Sequence, residues 1–560
     1  VVVGSGTSGN VIATRLTESP NIKVLVLEAG DDDAPNPLIS VPILCALAQK
    51  SSIDWEYKTI PQTHACKGLK EKSSLWPRGK TLGGTSSINN MVFARGSRHD
   101  YDEWEDMGAA GWGYDDVLPY FKKLEDVSNL GMNSEYRGKD GPLKLSYSYS
   151  HPVTHMFVDA ARELGLENED YNGKNGEGFG ITQATILPDG QRENSVTSFI
   201  RPVISKRRDR LHIVARAHVR QVVFEDDGNQ GKRASGVVYV RDGMEFKVRA
   251  TKEVIVCGGA VGSPQLLMLS GIGPKEHLKS KGIEVVADLQ GVGSNLQDHI
   301  MIPTTFHASN LTSYFAMDYT TVPRGIFPYL LGYGGPLTSA VAEANGYIRS
   351  RYAQVESANW EVLTMDMVSD VINLDQKVKQ TQRMYDWAKS HNTNSIAHFA
   401  ILAGLIRPSS VGTIRLNTSN YRDYPLIDPQ YLTTKRDVEI LIEAMRKIEE
   451  LEKTEAFKKI GAKMELDHFG CGNQISPRSD DFYECLIRSI TLTIYHPVGT
   501  AKIGSSDDIM AVVDPRLKVY KVNGLRVADA SVIPSIPSAN TQAACYMIGE
   551  KAADMIKQDW

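Results

Sequence analysis

The stretch Val1-Val-Val-Gly4-Ser-Gly6-Thr-Ser-Gly9, with the apolar-periodic segment Asn10–Thr17 behind it, decides the fold of this chain. The three valines predict a short buried strand, the glycines a tight turn, and the following segment a helix. Lys23–Leu27 is predicted as a second buried strand, which completes a β-α-β unit. The first glycine permits the sharp bend, the second lets backbone approach a ligand, and the third lets helix pack closely on strand. The sequence therefore predicts a dinucleotide-type parallel sheet at its start.

A carboxylate after the second strand narrows the choice of dinucleotide. A helix that begins in such a turn offers free N–H groups and a positive dipole end to phosphates. Glu28 closes the second strand about 20 residues beyond the turn, where a carboxylate accepts from ribose hydroxyls and repels a 2′-phosphate. FAD or NAD is therefore expected and NADP is not. The alternative is a structural glycine turn with a structural glutamate.

Length and composition indicate a multidomain globular protein. The chain has 560 residues, of which 41% are hydrophobic and 23% charged, and its net charge is -5. This length exceeds what one hydrophobic core usually organises, and no basic excess is present to attract nucleic acid. No apolar stretch reaches the roughly 20 residues that a bilayer requires, so we expect no membrane span.

The six cysteines are scattered and form no CxxC pair, so neither a metal site nor a redox dithiol is expected. Cys471 and Cys485 are near enough in sequence to pair, but isolated buried thiols are the favoured interpretation. The sequence starts at Val1, already inside the first strand, and a signal peptide is a candidate for what precedes it. The compartment is therefore left open by these residues.

Sequence patterns typical of nucleotide-binding domains lie at both ends of the chain, and the middle of the chain has a different pattern. Further predicted strands are Leu211–Val214, Val219–Glu225, Ser235–Val240, Glu253–Cys257 and Leu525–Ala528, and predicted helical regions are Asp100–Glu125, Asp375–His391, Lys435–Ala456 and Thr541–Ile556. We therefore expect a discontinuous cofactor domain with a substrate domain inserted into it. The cofactor domain is expected to comprise residues 1–95, 190–300 and 495–560, and the substrate domain residues 96–189 and 301–494.

A second glycine cluster points to a family. Trp76-Pro-Arg-Gly-Lys-Thr-Leu-Gly83-Gly84-Thr-Ser-Ser contains a loop whose backbone can approach a ligand, although any glycine turn has that property. From Gly79 to Asp102 the sequence resembles, position by position, the first signature of the glucose–methanol–choline (GMC) oxidoreductases. Gly259–Gly273 resembles the second signature, and Tyr495-His-Pro-Val-Gly-Thr500 a third motif with Asp529-Ala-Ser and Ser538-Ala-Asn-Thr-Gln542 downstream. The lead-in WPRGK and the ending ADASVIPSIPSAN look most like the arthropod glucose-dehydrogenase branch.

This resemblance implies an α/β, Rossmann-like FAD-binding domain of the GMC type with an inserted α+β substrate-binding domain. It also implies an N-terminal family module at roughly 1–300 and a C-terminal one at roughly 405–550. FAD is implied in preference to NAD. The residues expected at FAD are Gly4, Gly6, Thr7, Ser8, Gly9 and Glu28 toward the pyrophosphate and adenosine, Gly83, Gly84, Thr85, Asn89, Asn90, Met91 and Val92 toward the flavin, Val219 at the adenine, and Asp529 and Ala530 alongside.

One departure from the family bears on how FAD is held. Some relatives attach FAD covalently through a histidine three residues after the Gly-Gly-Thr/Ser/Cys triplet. That position is Ile88 here, so we expect noncovalent FAD.

The resemblance also identifies a catalytic pair. His496 lies in the catalytic motif, and a histidine is suited to accept a hydroxyl proton because its pKa lies near neutrality. Asn540 occupies the partner position, where an amide orients oxygen by hydrogen bonds without titrating. His299 in Asn295-Leu-Gln-Asp-His is expected to be structural.

The leading hypothesis is an FAD-dependent alcohol or sugar dehydrogenase that passes electrons to a quinone or another acceptor. An oxidase that uses O2 is a close alternative, and a flavin-bearing hydroxynitrile lyase is another, since lyases of this fold keep the histidine. No residue of the sequence identifies the substrate, the acceptor or the oligomeric state, and the resemblance weakly favours a secreted protein.

Overall fold

The computed structural model describes residues 1–311, 329–332, 334–353, 360–366 and 397–560, apart from 33–34, 133, 167, 169, 229–230, 466–470 and 473. The helix predicted at Asp375–His391 lies outside the described residues. No helix of the described ranges is long and apolar enough to cross a membrane. Those ranges also contain no cluster of three or more histidine, cysteine or acidic side chains placed to hold a metal ion.

Helices and strands occur along the whole described chain. The strands are β1 Val2–Val3, β2 Val24–Leu27, β3 Tyr57–Lys58, β4 Leu75–Trp76, β5 Glu125–Asp126, β6 Leu143–Lys144, β7 Ser146–Tyr147, β8 Gly178–Ile181, β9 Gln183–Ala184, β10 Leu211–Val214, β11 His218–Asp226, β12 Lys232–Arg241, β13 Met244–Arg249, β14 Val254–Val256, β15 Ile272–Gly273, β16 Ala287–Asp288, β17 Ile300–Ala308, β18 Ala342–Ile348, β19 Trp360–Asp366, β20 Ala397–Leu405, β21 Thr413–Arg415, β22 Leu426–Asp428, β23 Ala462–Glu465, β24 Leu492–Thr493, β25 Val522–Asn523 and β26 Leu525–Val527.

The helices are α1 Thr7–Leu16, α2 Pro37–Ser40, α3 Cys45–Ala48, α4 Arg98–Asp106, α5 Tyr114–Leu124, α6 Pro152–Glu163, α7 Arg201–Ile204, α8 Gly259–Leu269, α9 Lys275–Ser280, α10 Lys435–Leu451, α11 Glu455–Ile460, α12 Asp480–Ser489 and α13 Thr541–Asp559. The region predicted as one helix at Asp100–Glu125 is two helices, because Gly108 and Gly111 between them adopt positive φ. The helix predicted at Lys435–Ala456 likewise ends early, since Thr454 caps a new helix there.

A parallel five-stranded sheet forms the first layer, in the order β10-β2-β1-β14-β26. β1 lies in the middle, with Val2 opposite Val26 on one side and Ile255 on the other. Its strands are short and buried on both faces, as the continuous valine and leucine runs predict. Helices α1 and α13 pack against each other, and Gly549 allows the contact because a Cβ there would lie 2.9 Å from Cβ of Val11.

A seven-stranded antiparallel sheet forms the second layer, with the main order β23-β17-β20-β19-β18-β8 and β24 also paired to β17. The side chains of β17 alternate in the period-2 pattern of a strand. Ile302 and Phe306 pack in a core with helices α10 and α11, where the Phe306 ring stacks on Phe399 at 5.3 Å. Residues at the odd positions of β17 face the opposite side, which borders a cavity.

The segment after residue 96 packs on the parallel-sheet side, although the sequence analysis assigns it to the substrate domain. Trp104, Trp112 and Phe121 share the core of β1 and β2. Trp104 Nε1 donates to the carbonyl of Ser535 at 2.7 Å, and Trp112 Nε1 to that of Pro515 at 2.8 Å. These three large aromatic side chains are buried against the parallel sheet, so α4 and α5 belong to this layer.

The expectation of isolated thiols is wrong for one pair. Cys471 and Cys485 form a disulfide, because the start of α12 brings Cys485 back to within a Cα–Cα distance of 5.9 Å from Cys471. Cys45, Cys66, Cys257 and Cys545 are free.

The third glycine of the opening turn gives a test of the packing. A Cβ on Gly9 would overlap the carbonyl oxygen of Gly4 and approach the Cys257 side chain, whereas a Cβ on Gly6 would meet no atom within 4 Å. Gly9→Ala should therefore lower stability by roughly 1–3 kcal/mol or more through overpacking, and the matched Gly6→Ala by at most about 1 kcal/mol. Thermal unfolding of the protein freed of small molecules measures both changes. Equal unfolding temperatures for the two variants would contradict the packing assigned to Gly9.

Candidate functional site

A cavity of about 570 Å³ lies between the two main sheets. Four parallel strands end at it: Gly4 follows β1, Glu28 follows β2, Gly258 follows β14 and Asp529 follows β26. The carboxyl edge of an open parallel sheet is where ligands of such folds bind. The opposite wall is the cavity-facing side of β17 and β20.

The turn Gly4–Gly9 places main-chain atoms, not covered by side chains, beside the cavity. Gly4 has φ +103°, and a Cβ on it would overlap the Cys257 carbonyl, so only glycine fits between β1 and β14. A Cβ on Gly6 would point into open space, and Gly6 lines the cavity with Thr7 and Ser8. Helix α1 starts here with no side chain capping its first N–H groups. The turn therefore presents free donors and a positive helix end to an anion.

The second glycine loop lies directly against the first. Gly83 N–H donates to the Ser5 carbonyl at 2.7 Å. A Cβ on Gly84 would lie 2.9 Å from Cα of Gly6, so glycine is required for this approach of two backbones. The short 3₁₀ helix Gly84–Ser87 that follows also lacks a side-chain cap. The two loops together form a narrow cradle of backbone donors.

Two carboxylates at the strand ends organise the cavity walls. Glu28 accepts from the N–H groups of Ser5 and Gly30, both at 2.8 Å. Burial raises the pKa of Glu28, and these two backbone donors oppose that rise. Asp529 accepts from the N–H of Gly259 at 2.8 Å and from the Ser263 hydroxyl, which holds the start of α8.

Most of the residues expected at FAD border this one cavity. They are Gly4, Gly6, Thr7, Ser8, Glu28, Gly84, Thr85, Asn89, Asn90, Met91, Val92, Val219, Asp529 and Ala530. Gly9 and Gly83 lie behind the wall, where Gly9 packs helix on strand and Gly83 ties the two loops together. Ile88 is buried and also borders the cavity. The uncapped helix starts, the glycine cradle and the buried Glu28 fit a dinucleotide.

His496 and Asn540 meet at the other end of the same cavity. His496 Nε2 lies 3.3 Å from Asn540 Nδ2. Asn540 Oδ1 accepts from the Tyr347 hydroxyl at 3.0 Å, and that hydroxyl in turn accepts from Asn345 Nδ2 at 2.7 Å. Because Tyr347 occupies the amide oxygen, the NH2 group of Asn540 faces His496. No sequence motif marks Tyr347, which lies inside strand β18.

The interpretation of His299 as purely structural needs correction. Its Nδ1 lies 3.0 Å from Nδ1 of His496, and the two rings are nearly perpendicular. The segment that carries His299 leads into β17, and the segment after β24 carries His496, so pairing of these strands brings the rings together. His299 stood in a motif that was recognisable in the sequence, but its partner across the sheet was not.

Burial keeps both histidines neutral. Burial, with smaller contributions from His299 and Arg78, holds the pKa of His496 well below its ordinary value of 6.5. Burial likewise lowers the pKa of His299 to about 3. Since Asn540 donates to Nε2 of His496, the ring proton of His496 lies on Nδ1 and is donated to His299. His496 therefore presents an unprotonated Nε2 beside the Asn540 amide.

Asp298 holds the backbone of His496 in place. Its Oδ1 accepts from the His496 N–H at 2.9 Å, and its Oδ2 accepts a short hydrogen bond from the Tyr431 hydroxyl. Tyr431 accepts in turn from Trp76 Nε1 at 3.1 Å. Burial raises the pKa of Asp298 to about 6. Trp76 of the second glycine segment is thus connected to the histidine through two buried groups.

Comparison with known proteins agrees with this geometry. Two GMC oxidoreductase family models match residues 1–301 and 408–549. The chain is 36% identical to glucose dehydrogenase [FAD, quinone] of Drosophila pseudoobscura pseudoobscura, over 100% of this chain and 87% of the relative. It is 38% identical to the mitochondrial choline dehydrogenase of Mus musculus, over 100% of this chain and 89% of the relative.

The fold comparison points the same way. Formate oxidase of Aspergillus oryzae superposes with a TM-score of 0.85 at 27% identity, over 100% of this chain and 97% of that one. These matches confirm the predicted fold class, an α/β FAD-binding part combined with an α+β substrate-binding part. The chain belongs to the GMC oxidoreductases, a family of FAD-dependent enzymes.

Proposed function

We propose that this enzyme oxidises an alcohol to a carbonyl compound, with His496 as the acceptor of the hydroxyl proton. The observation that carries the proposal is the neutral Nε2 of His496 facing the cavity beside the Asn540 amide. FAD, when bound, accepts the hydride that leaves the carbinol carbon and is later reoxidised by a second substrate. The proton of the alcohol passes to His496 as the C=O bond forms.

Asn540 is proposed to hold the alcohol oxygen. Its NH2 group is turned toward the reacting position because Tyr347 fixes the amide oxygen. A preorganised N–H donor stabilises the negative charge that develops on this oxygen as its proton leaves. The start of α13, which Asn540 precedes without capping it, adds a positive helix end at the same place.

A quinone or another organic acceptor is the proposed oxidant. Support comes from the Drosophila relative, which is named a glucose dehydrogenase of the FAD and quinone type and is 36% identical over the whole chain. Comparing turnover under air with turnover under argon plus a quinone separates this proposal from an O2-using oxidase. Bleaching of the visible flavin band by an alcohol separates both from a hydroxynitrile lyase.

Noncovalent binding of FAD is proposed because Ile88 stands where some relatives carry a flavin-linked histidine. Its alkyl side chain has no nucleophile to offer. Acid precipitation should therefore leave the yellow colour in the supernatant and a colourless pellet. A yellow pellet after repeated washing would contradict noncovalent attachment.

Replacing the proposed base tests the reaction. His496→Ala should bind FAD normally but lose about 1,000-fold in the rate of flavin reduction by substrate, because a general base contributes about 100- to 10,000-fold. Anaerobic stopped-flow absorbance measures the rate, and the visible spectrum reports bound FAD. His64→Ala, which replaces an exposed histidine distant in sequence from His496, is the matched control. In this variant the substrate should reduce the flavin at the wild-type rate. Near-normal reduction by His496→Ala would refute the assignment.

The lowered pKa of His496 sets the pH dependence. The His496 side chain takes up a proton only below its lowered pKa, so it is still able to accept the substrate proton at pH 6.5. Activity that depends on this base therefore falls only when the pH drops below 6.5. The acid limb of kcat/KM should therefore lie below 6.5. His299→Asn, which removes the neighbouring ring, should shift that limb and slow flavin reduction while FAD stays bound. An acid limb centred at or above 6.5 in the wild type would contradict a buried neutral base.

A further inference from the structure

We infer from the structure that the substrate is a largely apolar alcohol and not a sugar. This inference rests on the proposed function, since it concerns the same end of the cavity that holds His496 and Asn540. It also departs from the substrate named for the Drosophila glucose dehydrogenase that this chain resembles.

The wall facing His496 is a hydrocarbon surface. The cavity-facing positions of β17 and β20 are Met301, Pro303, Thr305, Leu402 and Ala400, and Pro303 pairs with Leu402 across the sheet. Leu492 of β24 lies beside them, opposite Met301. Thr305 supplies one hydroxyl on this described part of the wall. A ligand seated here meets methyl and methylene groups over most of its surface.

The carboxylate near this wall already has partners from the protein. Glu343 Oε2 accepts from the backbone N–H of His151 at 2.6 Å and from the Thr154 hydroxyl at 2.8 Å. Glu343 Oε1 accepts from the Ser339 hydroxyl at 2.8 Å. The Glu343 carboxylate therefore accepts three hydrogen bonds from the protein, and one of them comes from the Ser339 hydroxyl.

A sugar fits this wall poorly. Each of its several hydroxyls loses its water on entry and needs a donor or acceptor in return, because an unpaired buried polar group opposes binding. On the described positions of β17, β20 and β24 that face the cavity, Thr305 supplies the one side-chain hydroxyl. Elsewhere in the cavity, Gln542 Nε2 is a donor without a partner from the protein. These groups are too few for the several hydroxyls of a sugar. An apolar chain or ring, by contrast, gains from leaving water.

The holoenzyme tests the inference by two independent readouts. Under anaerobic conditions, benzyl alcohol and 1-octanol should bleach the flavin with second-order rate constants at least about 100-fold above that for glucose. Separately, 2-phenylpropan-2-ol has no hydrogen on its carbinol carbon, so it cannot be oxidised. Calorimetry should show that it binds with a negative heat-capacity change.

Two variants test whether the antiparallel-sheet wall binds 2-phenylpropan-2-ol. Leu402→Asn, on the wall, should weaken binding of 2-phenylpropan-2-ol at least about 10-fold with the FAD spectrum unchanged. Leu426→Asn, at a surface leucine on β22, is the matched control and should bind it as the wild type does. Ala400→Ser is a smaller change of the same kind, should Leu402→Asn fail to fold.

The outcomes separate this inference from the proposed function. Glucose bleaching the flavin faster than the apolar alcohols overturns the substrate class and leaves alcohol oxidation standing. Binding of 2-phenylpropan-2-ol without bleaching by any alcohol supports the apolar wall and refutes the proposed reaction. No binding of 2-phenylpropan-2-ol overturns the inference.

Discussion

The contact between His496 and Asn540 is the constraint on which the rest of this structure depends. His496 follows the edge strand β24 of the antiparallel sheet, whereas Asn540 directly precedes α13, which packs on α1 beside the parallel sheet. The two residues meet only if both sheets are positioned correctly. Asp298 fixes the histidine backbone from one side and Tyr347 fixes the amide from the other. The fold therefore places the neutral Nε2 of His496 and the NH2 group of Asn540 at one point of the cavity.

The cavity combines two different chemistries. At the parallel sheet, glycines and uncapped helix starts expose backbone N–H groups, which suit the phosphates of FAD. At the antiparallel sheet, period-2 alternation turns Met301, Pro303 and Leu402 toward the same space and leaves it largely apolar. Because the two ends lie on different sheets, the substrate wall can be altered without altering the residues around the phosphates.

The sequence predicted what depends on local pattern and missed what depends on distant pairing. The turn at Gly4–Gly9 and the positions of His496 and Asn540 were recognisable because each lies in a contiguous motif. The contact of His299 with His496 was not, because it arises from the pairing of β17 with β24. Tyr347 lies in an ordinary strand without any motif. Cys471 and Cys485 pair through the approach of α12, which their spacing alone does not establish.

The central claim is that the carbinol hydrogen leaves as hydride while His496 takes the hydroxyl proton. Its most direct test compares benzyl alcohol with the same alcohol carrying two deuterium atoms on the carbinol carbon, in anaerobic single-turnover reduction of the bound flavin. The account predicts that deuterium slows bleaching several-fold at saturating substrate, with the flavin fully reduced in both cases. Equal bleaching rates for the two alcohols would contradict it.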